Sequence, residues 1–182
     1  MPNRDVILFH PTIEAILSAW CDAIGDAYLG YRGHVYRMFN CCLALRDCTA
    51  PEVEKCAIAA AFHDLGLWSD QTVDYLPPSV ARAEHWLVEH DRAEWITEVS
   101  LMIDEHHKLR PYRDAAYPLV EVFRKADLVD VSLGAIRFGI PIRLIIRIKS
   151  AIPNAGFHLF LLRTGKGWFL QHPLSPPPFM KW

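Results

Sequence analysis

The chain has 182 residues, 52% of them hydrophobic and 22% charged; this is enough to close one substantial core, short for two domains, and too apolar for extensive disorder. A formal net charge of −2 speaks against a protein devoted to neutralising a phosphate backbone, so no nucleic-acid partner is expected. Five cysteines (Cys21, Cys41, Cys42, Cys48 and Cys56), an odd number in no CxxC arrangement, exclude zinc-ribbon and disulfide scaffolds and suit reduced thiols in a cytoplasm.

The opening MPNRDVILFHPT lacks the basic start, long apolar core and small-residue cleavage site of a signal peptide. No stretch runs uncharged for the ~18 apolar residues that a membrane span needs; the nearest approach, 126–152, is interrupted by charges. A cytoplasmic location and no membrane partner are therefore expected. Strand signals are nearly absent, since no two alternating β-branched runs are joined by a two-residue turn. The expected fold is all-α, a single helical domain over 1–172 of about seven to eight helices, followed by a proline-rich tail over 173–182.

Thr12 is placed to cap a helix through about Ile24, with Ile13, Ile16, Leu17 and Trp20 on one stripe and Gly25 ending it. A second helix is predicted over 31–45, carrying His34, Val35, Met38, Cys42 and Leu45. The clearest start signal is Thr49-Ala50-Pro51-Glu52, a capping box with proline in the first turn, where its missing N–H costs nothing. The helix it opens, EVEKCAIAAAFHDL, has no charge between Lys55 and His63-Asp64 and should be central. Polar residues closing a buried helix either cap its end or bind something.

Ser79 in Pro77-Pro78-Ser79 is a plausible cap for a helix to about His90, and Asp91-Arg92-Ala93-Glu94 reads as a capping box for one that ends near His106. Further helices are predicted over 118–132, 142–151 and 157–162, and the tail HPLSPPPFMKW cannot be helical. Within 137–149, Arg137, Arg143, Arg147 and Lys149 are interleaved with isoleucines and leucines, which is either a solvated helix face or a surface for an anionic partner.

Four histidines and two carboxylates fall at helix ends or on apolar faces: His34, His63-Asp64, His106-His107 and Asp127. Imidazole nitrogen and carboxylate oxygen suit divalent metals, and ligands on several helices of a bundle can converge on one ion. For His106 and His107 the alternative is a polar pair at a helix C-terminus, where the macrodipole favours a histidinium.

His34, followed 29 residues later by the doublet in AAAFHDLG and then by Asp127 in FRKADLVD, resembles the H…HD…D signature of HD-domain metalloproteins. The resemblance covers roughly residues 30–135. It implies a helical bundle holding one or two divalent ions (manganese, iron, cobalt, nickel, zinc or magnesium), with His34, His63, Asp64 and Asp127 as ligands and Asp64 as catalytic residue and, where two ions bind, the bridge between them. His106 and His107 stand where relatives supply part of a second metal site. The other position expected there is Ser79, and His85, six residues on, points elsewhere on the helix. Arg37 matches a basic residue that faces an anionic substrate in relatives; a salt bridge within the bundle is the alternative. Where many phosphohydrolases of the family carry lysine after the doublet, this chain has Leu67-Trp68. Trp68 would then wall the pocket or belong to the core, leaving Lys108, Arg110, Arg113 and Lys125 to meet a substrate.

The resemblance thus implies a hydrolase of a small phosphate ester or nucleotide-like substrate. Its alternatives are a di-iron oxygenase acting on a small organic substrate and a non-catalytic, metal-stabilised binding protein. A small molecule is the expected partner, and self-association into a homo-oligomer is left open.

Overall fold

The structure is a computed structural model that describes residues 5–171; the predicted proline-rich tail, 173–182, lies outside the described residues. Within them the chain is all helical. Its elements are α1 (Pro11–Ala19), α2 (Cys21–Ile24), α3 (Tyr28–Leu45), α4 (Ala50–Phe62), α5 (Gly66–Ser69), α6 (Leu76–Glu89), α7 (Ile96–Glu105), α8 (Pro118–Val131), α9 (Ile142–Ala151) and α10 (Phe157–Gln171). Eight of these have nine residues or more, in keeping with the expected all-α bundle. None of the described helices is long and apolar enough to cross a membrane.

Helix α4 is the axis of the fold. The capping box of Thr49 and Glu52 starts it, the Thr49 N–H donating to Glu52 Oε2 at 2.8 Å. From Cys56 to Phe62 every residue is buried. Alanines at 57 and 59–61 keep this helix thin, so α1, α3, α6, α7 and α8 can all pack around it. The chain then turns sharply through His63 and Asp64, and Gly66 is what lets the start of α6 pack closely against the residues after the doublet. A methyl group there would sit 2.4 Å from the Tyr75 carbonyl oxygen and 2.9 Å from Pro78, inside any real van der Waals contact. With only hydrogen at this position, the Gly66 N–H donates to buried Ser79 Oγ at 2.9 Å, tying the doublet to α6.

Several boundaries differ from the sequence reading. The first helix breaks at Trp20, which leaves helical geometry (φ −112°, ψ 7°), and Thr12 lies inside α1 rather than capping it. Helix α6 begins at Leu76, so Ser79 is not its cap and serves Gly66 instead. Asp91 adopts φ 53°, and a 3-10 turn over Ala93–Trp95 precedes α7, so no capping box forms there. Helix α10 continues to Gln171, well past the predicted end at 162. Each difference reflects neighbours meeting a backbone group or burying an apolar face that local pattern cannot register.

Candidate metal centre

Four helices deliver side chains to one buried point. His34 comes from the middle of α3, His63 caps the C-terminus of α4, Asp64 follows it, His106 caps the C-terminus of α7 with His107 next, and Asp127 projects from α8. The rings of His34, His63 and His106 are fully buried, and the Asp64 and Asp127 side chains nearly so.

The outer nitrogen of each buried imidazole has an acceptor. His34 Nδ1 lies 2.7 Å from Asp130 Oδ2, His63 Nδ1 2.8 Å from the Ala60 carbonyl and His106 Nδ1 2.6 Å from the Ile103 carbonyl. Carboxylate and carbonyl oxygens only accept, so each Nδ1 carries the proton and each Nε2 turns a lone pair inward. The result is electrostatically unbalanced. His34 Nε2 and His63 Nε2 approach to 3.0 Å with no hydrogen of their own between them. Asp64 Oδ2 stands 3.2 Å from His63 Nε2 and 3.8 Å from His34 Nε2; Asp64 Oδ1 stands 3.5 Å from His106 Nε2 and 4.0 Å from His107 Nε2. Asp127 sends Oδ1 to within 3.5 Å of His34 Nε2 and Oδ2 to within 3.8 Å of His107 Nδ1. Asp64 Oδ1 and His106 Nε2 are buried with no hydrogen-bond partner. Buried acceptors left unpaired are costly, and a cation answers all of them at once.

Titration behaviour follows from the same crowding. Burial lifts the Asp127 pKa to about 7, and the negative charges of Asp64 and Asp130 add to the effect. Burial also lowers His34 to about 4, against the pull of Asp130. The donor set therefore fits a divalent metal: buried His34, His63, Asp64 and His106, with half-buried His107, could hold an ion. Their atoms form two groups, His34-His63-Asp64 and Asp64-His106-His107, each within 4.8 Å and sharing Asp64.

Three residues at the site escaped the sequence reading. Asp130 accepts from His34 and from Arg37, whose Nε and one terminal nitrogen lie 2.6 and 2.9 Å from its two oxygens. Its signal was present in FRKADLVD, one turn beyond Asp127 on the same buried face. Tyr75 is buried, and its hydroxyl hydrogen-bonds His107 Nε2. Arg124 is buried on α8, bonded to both Glu121 oxygens at 2.8 Å and to the Lys108 carbonyl at 3.1 Å; the spacing Glu121-x-x-Arg124 could have suggested the pair.

The residues expected to meet a substrate divide. Arg37 is 2% exposed and spends its guanidinium on Asp130 and the Pro153 carbonyl, so it is the salt bridge within the bundle rather than a group facing substrate. Lys125 pairs with Glu121 at 3.4 Å and lies over the Phe138 ring, because two residues along a helix turn a side chain about 200° from Asp127. Arg113 is exposed on the connection to α8. Trp68 packs between Tyr31 (centroids 4.6 Å apart) and Phe160 (5.4 Å), half-buried against the core. Lys108 does border a cavity that reaches the centre, a space of about 300 Å³ on the His107 and Asp127 side. His85 is a surface residue, 3.2 Å from Glu89.

The comparisons with known proteins add no relative: no family model matches the chain, and neither a curated protein nor a solved structure matches it.

Proposed function

We propose that this chain is an HD-type metal-dependent enzyme that hydrolyses a small phosphate ester at the His34, His63, Asp64 and Asp127 centre. The observation that carries the proposal is the position of Asp64, whose two oxygens face two different imidazole groups while one of them has no hydrogen-bond partner. Such a carboxylate is built to lie between cations.

The chain's own residues supply positioning. Asp130 orients His34, and Arg37 in turn orients Asp130, so that the imidazole is fixed in both tautomer and direction. The carbonyls of Ala60 and Ile103 do the same for His63 and His106. Asp127 closes the ring from α8, and the Tyr75 hydroxyl holds His107 where the centre opens to the cavity. A divalent cation held by His34, His63, Asp64 and Asp127 would supply Lewis acidity toward a phosphoryl oxygen and a water. Lys108, at the cavity wall, is placed to offset charge on the phosphoryl group. A cytoplasmic setting suits the five thiols, all of them free.

Elemental analysis of protein purified without added metal tests the reading. One or two equivalents of a divalent metal, lost together with phosphoesterase turnover in Asp64→Asn, is the expected result; a metal-free protein, or a variant that keeps both, sinks it. A second reading, a di-iron oxygenase, is favoured by the imidazole-rich Asp64-His106-His107 group. Anaerobic iron loading followed by optical and magnetic-resonance spectra separates the two, since a mononuclear or absent iron signal removes the oxygenase.

A further inference from the structure

The cavity beside His107 has an unusual balance of walls for an enzyme of phosphate esters. Leu67, Leu109, Leu128, Val131 and Leu161 make its sides, drawn from α5, α8, α10 and the segment after α7. Tyr75, His106, His107 and Asp127 form its polar end, and Thr164 is the one hydroxyl among the other walls. Two cations border it, Lys108 and Arg124, but the Arg124 charge is matched by Glu121 through paired hydrogen bonds and its third nitrogen is spent on the Lys108 carbonyl. A polyphosphate carrying three or four negative charges finds little compensation here. At about 300 Å³ the space is at the lower end of those that hold small organic molecules.

We infer that the pocket selects a small substrate with one anionic head group and an apolar alkyl-like body, the head toward His107 and Lys108 and the body along the leucine and valine walls. This deepens the reading of the centre as a cation site and rests on it only for where the head group sits. The selectivity follows from burial of apolar surface, which is worth up to about fourfold in affinity per fully buried methylene, whereas sugar hydroxyls along the same walls would lose water without gaining partners.

Alkyl phosphonates, which resist hydrolysis, provide the probe: a straight-chain series from ethyl to decyl, titrated calorimetrically into the protein as purified, with glycerol phosphate and adenosine monophosphate for comparison. The expected result is a dissociation constant that falls about threefold to fourfold per added methylene until the cavity is filled, with both polar comparators weaker than the longer alkyl probes by tenfold or more. Val131→Asp and Leu109→Asp, at wall positions 37% and 65% exposed and so tolerant of charge, should flatten the series while leaving the melting temperature near that of the parent. Affinity independent of chain length, tighter binding of adenosine monophosphate, or an unchanged slope in both variants overturns the inference. Metal content measured on the same samples keeps the two readings apart: a metal-free protein that retains the slope removes the cation site and leaves the pocket standing, and a metal-loaded protein with a flat series does the reverse.

Discussion

Saturating the centre with metal should raise the melting temperature, and replacing Asp64 with Asn should abolish that rise. Two buried atoms, Asp64 Oδ1 and His106 Nε2, have no hydrogen-bond partner, and each such atom costs about 1–3 kcal/mol. A cation that satisfies both returns on the order of 2–6 kcal/mol when its concentration far exceeds its dissociation constant. For a chain of this size each kcal/mol moves the midpoint by about 2–4 °C, so the shift should fall between about 4 and 24 °C. The assay is thermal unfolding of chelator-stripped protein followed by circular dichroism, with manganese, iron, cobalt, nickel and zinc added in turn. Asn is nearly isosteric with Asp but brings no charge to the paired imidazole groups, so Asp64→Asn should melt at one temperature whatever ion is present. A stripped parent protein that ignores all five metals, or an Asp64→Asn protein that responds as the parent does, refutes the reasoning.

Three further outcomes are expected. Arg37→Met leaves Asp130 ionised and buried beside His34 without its guanidinium; unfolding in urea should show a loss of about 3–5 kcal/mol, the cost of breaking a buried pair by removing one partner. Gly66→Ala puts a methyl group against the Tyr75 carbonyl, and a loss of about 1–3 kcal/mol by the same assay is expected from overpacking. The third concerns Glu14, for which burial works against ionisation but hydrogen bonds from Arg32 and Tyr36 more than offset it, so that its folded pKa lies below the ordinary 4.5. Its contribution is therefore fully present above the unfolded value and is lost as pH falls through the folded one. Glu14→Gln should be less stable than the parent at neutral pH, by about 1 kcal/mol for a partly exposed pair, with the two unfolding curves converging in acid.

Much of the centre was legible because of where its residues fall along the chain. His63 and Asp64 end a helix that carries no charge after Lys55, and a charge-free run closing on His-Asp has few explanations besides a buried end or a ligand site. Asp127 stood out for the same reason, as an acid on the buried face of α8. Arg37 shows the limit. Its spacing from His34 placed it near the centre, but spacing could not say whether it turned toward a substrate or toward Asp130, 93 residues away. Lys125 is the converse: close to Asp127 in sequence, yet carried by helical rotation to the Glu121 and Phe138 side. Ser79, read as a helix cap, is a partner for Gly66, a role set by how α6 crosses the doublet turn.

By itself the sequence determined the helical class, the central place of α4 and the residues able to hold a cation, because helix caps, turn residues and apolar periodicity act over a few residues and depend little on distant neighbours. Only the tertiary structure decided which lone pairs face one another, which carboxylate holds which imidazole, and that the opening beside His107 is walled by leucine and valine. Those features arise where α3, α4, α7, α8 and α10 approach one another. A side chain's partner across such a junction depends on packing between segments far apart in the chain, about which local pattern carries almost no information.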